Sequence, residues 1–487
     1  MNNTIQKNEL KKRINLFDGI AIVSGSMIGS GIFIVSSDMA RTLGSPGWLL
    51  ITWLISGVLT VIASLCYGEL AAIIPKVGGQ YAYLKDVYNP LIGFLYGWTL
   101  FLVIQTGTIA AVAIGFSKFS GELFPWISQD IYFMHLGFFK ISTQQVVAIL
   151  LIIILTWINS KGVNTGKLVQ NIFTSAKVFA ILMLVILGLS LSSGAANNNF
   201  SKEIFWKAGN FDANGISYQL IGWPLVVAIF TSMVGSLFSM DAWNNITFTS
   251  AEVRNPKRNI PLSLVSGTLI VIIIYMVVNI VYLKVLPLHG SAEGINVFER
   301  GIQFATNDRV ATATMSALIG NFAVLIMALL VMVSTFGCNN GLILTGARVY
   351  YAMAGDGLFI KSVSRLNSKN VPRNALLVQG LWASLLCLSG TYSQLLDYVI
   401  FAVLLFYVLT IFSLFILRIK APLIERPYKA FGYPILPALY ILITLAIMVV
   451  LLIYKPNYTF PGLMIVLLGI PVFYLIKYIN KRNSIRT

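Results

Sequence analysis

Gly25-Ser26-Met27-Ile28-Gly29-Ser30-Gly31-Ile32-Phe33 lies in the middle of an apolar run from Leu16 to about Val35. Three glycines and two serines in its first seven residues suit a helix interior poorly, since each Gly costs roughly 1 kcal/mol relative to Ala. In hydrocarbon, a break in a helix frees N–H and C=O groups that find no water. Irregular backbone at that depth survives only where protein buries it or a cavity runs beside it. A broken helix also presents a half-helix N-terminus, which attracts an anionic group such as a carboxylate. Binding sites of many secondary transporters are built this way. The other reading of the stretch is a small-residue seam along which two helices pack closely.

The composition places that stretch in a membrane. The chain has 487 residues, 57% of them hydrophobic and 10% charged, with a mean hydropathy of +0.82. A soluble domain is roughly 45–50% apolar. Apolar runs at about 16–38, 47–73, 90–117, 143–160, 167–192, 218–250, 261–286, 312–350, 374–390, 393–418, 434–454 and 460–478 predict twelve spans. An even number puts both ends of the chain on one side. Lys and Arg gather at the N-terminal arm, at 76–85, 161–167, 254–258, 361–373 and 418–429, and at the C-terminal end. All of these fall on the side of the termini, so the positive-inside rule predicts cytoplasmic termini. The net charge of +17 thus reports orientation and contact with anionic lipid, and argues against nucleic-acid binding. The short basic arm runs straight into the first span without a small-residue cleavage site, so no signal peptide is expected.

Other residues stand out against this apolar background. Lys177, in Phe173-Thr174-Ser175-Ala176-Lys177-Val178-Phe179-Ala180, sits about 15 Å into a hydrocarbon core roughly 30 Å thick. An ionisable residue at that depth is a functional hypothesis by default. Two readings stand: a proton-exchanging amine, or a fixed ammonium bonded to the carbonyls freed by the first-span break. In the sixth span, Gly235-Ser236-Leu237-Phe238-Ser239-Met240-Asp241-Ala242-Trp243 is again small and polar within an apolar run. Two breaks five spans apart suggest an inverted repeat with the site between the halves. Asp241 is expected to pair with Lys177 or a freed N–H, or else to meet a substrate cation. Gln105, Thr106 and Thr108 bond a neighbouring helix or face a cavity. Glu69, at the end of the second span, is expected in solvent, with an inner gate as the alternative. Gln80–Asp86 reads as an interfacial helix, and Arg348 as a snorkelling side chain or the partner of Glu69 or Glu252. Cys66, Cys338 and Cys387 fall inside spans and read as buried thiols. His135 and His289, the only histidines, lie in loops with no Cys/His cluster, so no metal is expected.

The stretches Gly25–Phe33, Pro75–Trp98, Val169–Ala180 and Phe238–Pro261 resemble the APC superfamily of amino acid permeases. Within it they are most similar to the L-type amino acid transporter branch. Glu252-Val253-Arg254-Asn255-Pro256-Lys257-Arg258-Asn259-Ile260-Pro261, after a broken sixth span, is the most specific match, with Val169-Gln170-Asn171-Ile172-Phe173-Thr174-Ser175-Ala176-Lys177 beside it. The resemblance implies an all-α polytopic fold of twelve helices with a five-plus-five inverted repeat and broken first and sixth helices. On that plan 1–15 form a cytoplasmic arm, 16–418 the repeat core of helices 1–10, 419–478 helices 11–12, and 479–487 a cytoplasmic tail. It implies that a substrate carboxylate meets backbone N–H groups around Gly29, Ser30 and Gly31. The substrate ammonium would meet carbonyls near Met27 and at Phe238, Ser239 and Asp241. Phe238 would close over the substrate, and Lys177 would occupy the place of a sodium ion. Animal members of the branch link to a glycoprotein through a cysteine after the third span. Loop 118–142 has no Cys, so no disulfide-linked partner is expected. Asp241 stands where many neutral amino acid exchangers have Gly, and it does not settle the substrate.

The expectation is a multi-pass transporter of L-amino acids in the cytoplasmic membrane, working by alternating access. Exchange is favoured because the branch is made of exchangers. Proton symport through Lys177 is the alternative. No cofactor is expected, and a Walker segment is missing from the sequence. The spans hold no convergent acid, base or nucleophile set for an enzyme and no repeated filter for a channel.

Overall fold

The computed structural model describes residues 10, 12–136, 139–192, 197–211, 217–320, 322–389 and 392–486. The described chain is almost wholly helical. The first span is two helices, α1 (Leu16–Met27) and α2 (Gly31–Leu43). Then come α3 (Pro46–Ile73), α4 (Gln80–Val87), α5 (Pro90–Thr99) and α6 (Gln105–Leu123). A π-helical turn, Leu100–Ile104, joins α5 to α6. There Thr106 Oγ1 donates to Phe101 O at 2.6 Å, five residues back. A hairpin of β1 (Tyr132–Leu136) and β2 (Phe139–Ser142) precedes α7 (Thr143–Ser160) and α8 (Val163–Leu191). A second hairpin, β3 (Gly209–Phe211) with β4 (Ser217–Gln219), leads to α9 (Trp223–Ser239) and α10 (Asn245–Phe248). The rest is α11 (Pro256–Val285), α12 (Val297–Arg300), α13 (Val310–Ile319), α14 (Phe322–Gly355), α15 (Arg373–Leu386), α16 (Tyr392–Lys420), α17 (Ile435–Tyr454) and α18 (Pro456–Arg486).

Among the described residues, ten helical stretches are long and apolar enough to cross a membrane. The expected sixth and ninth spans are shorter helices, α9 and α15. The expected eighth span, 312–350, is divided. Gly320 has φ +76°, which separates α13 from α14, so 310–319 forms a separate helix packed on α2, α8 and α11. Both sides of Gly320 are apolar, and hydropathy alone does not register the turn.

The core lies where α2 meets α9 and α1 packs among α8, α11 and α14. Helix α3 packs along α11, α6 along α14, and α2 along α9. Helix α8 packs against α1 and α14 and carries Lys177 inward. Helix α4 is a correction to the sequence reading. Gln80, Tyr81, Tyr83 and Leu84 are buried, and Gln80 Nε2 donates to Thr410 Oγ1 at 2.9 Å. The helix is a wedge against α16 rather than a float on lipid.

A run of contacts defines one end of the molecule. Arg13 and Ile14 N–H donate to Glu252 O, and Arg254 N–H donates back to Ile14 O. Gly78 N–H donates to Phe248 O. Tyr81 Oη donates to Asp356 Oδ2, and Asn480 Nδ2 to Gly357 O. The first described residues and the last helix therefore share one face, the terminal face.

Candidate functional site

The first break leaves the last carbonyls of α1 without helical partners. Ile28 departs from helical geometry (φ −76°, ψ 86°), and α2 restarts at Gly31. Side chains from three other helices supply the missing donors. Lys177 Nζ donates to Gly25 O at 2.7 Å and to Ile28 O at 2.8 Å. Ser334 Oγ donates to Ile28 O at 3.2 Å, and Cys338 Sγ to Ser26 O at 3.0 Å. Tyr275 Oη lies 3.1 Å from Met27 O.

The second break follows Ser239. Asp241 N–H closes a turn on Phe238 O at 3.1 Å, and Ala242 has φ +65°, a left-handed conformation uncommon for a residue with a Cβ. Tyr275 Oη also lies 3.2 Å from Ser239 O, so one hydroxyl from α11 reaches both breaks. The two meet directly at Gly31. A Cβ there would stand 2.2 Å from Ser239 Oγ, 2.9 Å from Ser239 Cβ and 3.1 Å from Ser239 Cα. Only Gly allows α2 to start against the end of α9. Met27, Gly29, Ser30, Gly31, Phe238, Ser239 and Asp241 are all buried on these two breaks.

Asp241 follows one of its two expected pairings and adds a partner from α16. It does not pair with Lys177: its carboxylate accepts from the Ala242 N–H freed at the break, the second of the two expected partners, and its Oδ1 also accepts from Tyr407 Oη of α16 at 2.6 Å. The sequence reading missed Tyr275, Tyr407 and Ser334, and it placed Cys338 as a buried thiol without the Ser26 carbonyl it donates to. A phenol inside an apolar span is a signal, because its hydroxyl needs a partner when buried. Gln105 belongs to the same interior, donating to Leu342 O at 2.9 Å.

Residues 14–476 match the family model described as amino acid permease. The chain belongs to the amino acid permease family. It is 29% identical to the human b(0,+)-type amino acid transporter 1 over 96% of this chain and 88% of that protein. It is 31% identical to the mouse large neutral amino acids transporter small subunit 2, over 96% of this chain and 81% of that protein. The human form of the latter is also 31% identical, over 96% and 80%. The permease is thus a multi-pass membrane transporter of amino acids, and not an enzyme.

The permease is open on one side of the breaks and sealed on the other. Opposite the terminal face, a cavity of about 1110 Å³ reaches Ile34 and Val35 on α2 and Val234 and Gly235 on α9. These residues lie one turn from Gly31 and Ser239. Beside Asp241 the space narrows to two cavities of about 10 Å³ each, about one water apiece. Toward the terminal face the permease is locked by charge. Glu69 is fully buried rather than solvated. It accepts from Arg418 at 2.6 and 3.0 Å and from Ala430 N–H at 2.7 Å, with Arg426 at 3.4 Å. Arg348 is fully buried on Glu252 at 2.8 Å and does not snorkel. A carboxylate this deep stays only because guanidinium forks replace its water.

Proposed function

We propose that this permease exchanges L-amino acids across the cytoplasmic membrane by alternating access, with both termini in the cytoplasm. The observation that carries the reading is the meeting of two broken helices at the foot of a vestibule sealed on its other side. The α2 N-terminus at Ser30 and Gly31, with Gly29 beside it, takes the substrate carboxylate. Carbonyls at Met27, Phe238 and Ser239, with Asp241, take the ammonium, and Phe238 closes over the bound molecule. The site as described has room for about one water on each side of Asp241. Binding therefore needs α2 to part from α9.

The contact pattern supports a twelve-helix, five-plus-five plan with 16–418 as its core. The second and seventh spans pack together, as do the third and eighth, and the first and sixth. The fifth packs on the eighth as the tenth packs on the third. Exchanging the halves maps each of the first three pairs onto itself and the fifth–eighth pair onto the tenth–third pair, as an inverted repeat requires.

Exchange is favoured because Lys177 is held by two carbonyls, a geometry that suits a permanent ammonium. Proton symport is the second reading, because no carboxylate bonds Lys177 among the described residues. The test is uptake of labelled L-amino acids into proteoliposomes that are empty, preloaded with amino acids, or under an inward proton gradient. Exchange predicts uptake only into the preloaded set. Uptake into empty vesicles driven by the pH step overturns exchange and assigns coupling to Lys177.

A further inference from the structure

The vestibule holds more charge than a passage for zwitterions needs, and most of that charge is already matched. Arg41 bonds Asp308 at 2.7 Å and lies 3.5 Å from Asp38. Arg309 pairs with Glu122 and also donates from Nη2 to the carbonyl of Lys118. Lys140 lies over the Tyr132 ring at 5.3 Å. Lys118 is different. It is half-buried in the vestibule wall at the far end of α6, with Arg309, Arg41 and Asp308 as its charged neighbours. Its ammonium has no hydrogen-bond or ion-pair partner among the described residues. Arg309 is buried on the same wall and keeps its Nε hydrogen unmatched. A half-buried cation set among other cations and without an anion of its own is an incomplete site.

We propose that Lys118, with Arg309 beside it, is an outer carboxylate-binding site where an incoming amino acid is held before it reaches Gly31. The occupant is the α-carboxylate of the transported molecule, so the proposal rests on amino acid transport by the central site. The cavity is far larger than one amino acid needs, which leaves room for molecules waiting at Lys118 while the breaks are closed. A charge at the mouth of a low-dielectric cleft also raises the local concentration of its counter-charge.

The experiment compares wild type, Lys118→Gln and Lys118→Arg in oriented proteoliposomes. The half-saturating concentration of a labelled L-amino acid mixture is measured separately from each face. Lys118→Gln should raise it about fivefold from the vestibule face, with a smaller salt dependence, and Lys118→Arg should restore most of the loss. No rise, or an equal rise from both faces, overturns the proposal. A second readout is independent of transport. Equilibrium binding of the same mixture to Gly31→Val, whose central site is filled, should persist weakly and vanish in Gly31→Val/Lys118→Gln. Persistence in the double variant overturns the outer site. Wild type that takes up no amino acid overturns the central reading instead, and the binding comparison still decides Lys118.

Discussion

At the scale of single residues, the two strongest features are a lysine where hydrocarbon is expected and a glycine where a methyl group has no room. Removing the ammonium in Lys177→Ala leaves Gly25 O without its donor and Ile28 O with only Ser334. The cost is about 1–3 kcal/mol for each group stranded, so the unfolding temperature in detergent should fall and amino acid transport should be lost. Lys177→Ala transporting at wild-type rate would remove the lysine from the mechanism. Gly31→Ala forces a Cβ into Ser239. Overpacking of this kind costs about 1–3 kcal/mol, and substrate binding by dialysis should drop more than expression does. Tyr407→Phe strips Asp241 of its hydroxyl partner, and half-saturation should shift most for amino acids with charged side chains. Lys177 and the glycines were legible because each violates the rule for its surroundings. Tyr275 and Tyr407 were not, because a tyrosine is apolar over most of its surface and only the fold reveals where its hydroxyl points.

At the scale of elements, the sequence marked the breaks but not what surrounds them. Glycine and serine at 25–31 and 235–239 weaken a helix by local physics, so α1, α2 and α9 could be read directly. The burial of α4 could not, since Tyr81, Lys85 and Asp86 give it an amphipathic face whether it meets lipid or protein. The same holds for Glu69, whose partners Arg418 and Arg426 lie some 350 residues along the chain. Glu69→Gln strands buried guanidinium charge, and breaking a buried pair costs about 3–5 kcal/mol. Its expected outcome is a looser join of α3 to α16, read as faster hydrogen exchange in 418–430 than in 46–60. Equal protection of these segments in variant and wild type would show that the pair does not fasten this corner.

At the scale of the whole molecule, the open vestibule and the locked terminal face describe one of the two states that the proposed alternating access needs. The three cysteines are buried, so an introduced thiol reports its own surroundings. Val35→Cys should react with a charged, impermeant thiol reagent from the vestibule face, and saturating amino acid should slow that reaction. Labelling from the terminal face alone would reverse the direction of the opening. The spread of Lys and Arg supports the proposed cytoplasmic termini, because the rule sums over many loops and tolerates local error. The state of the gates was not legible in the sequence, since one sequence must encode every state of the cycle. The first-span break has a further consequence during synthesis. Gly25 and Ile28 lie 152 and 149 residues ahead of the lysine that satisfies them. At roughly 5–20 residues per second, a ribosome needs about 8–30 s to deliver it. For that interval the newborn first helix carries carbonyls that lack their folded-state donor, so shielding from lipid until α8 arrives is what its break demands of biogenesis.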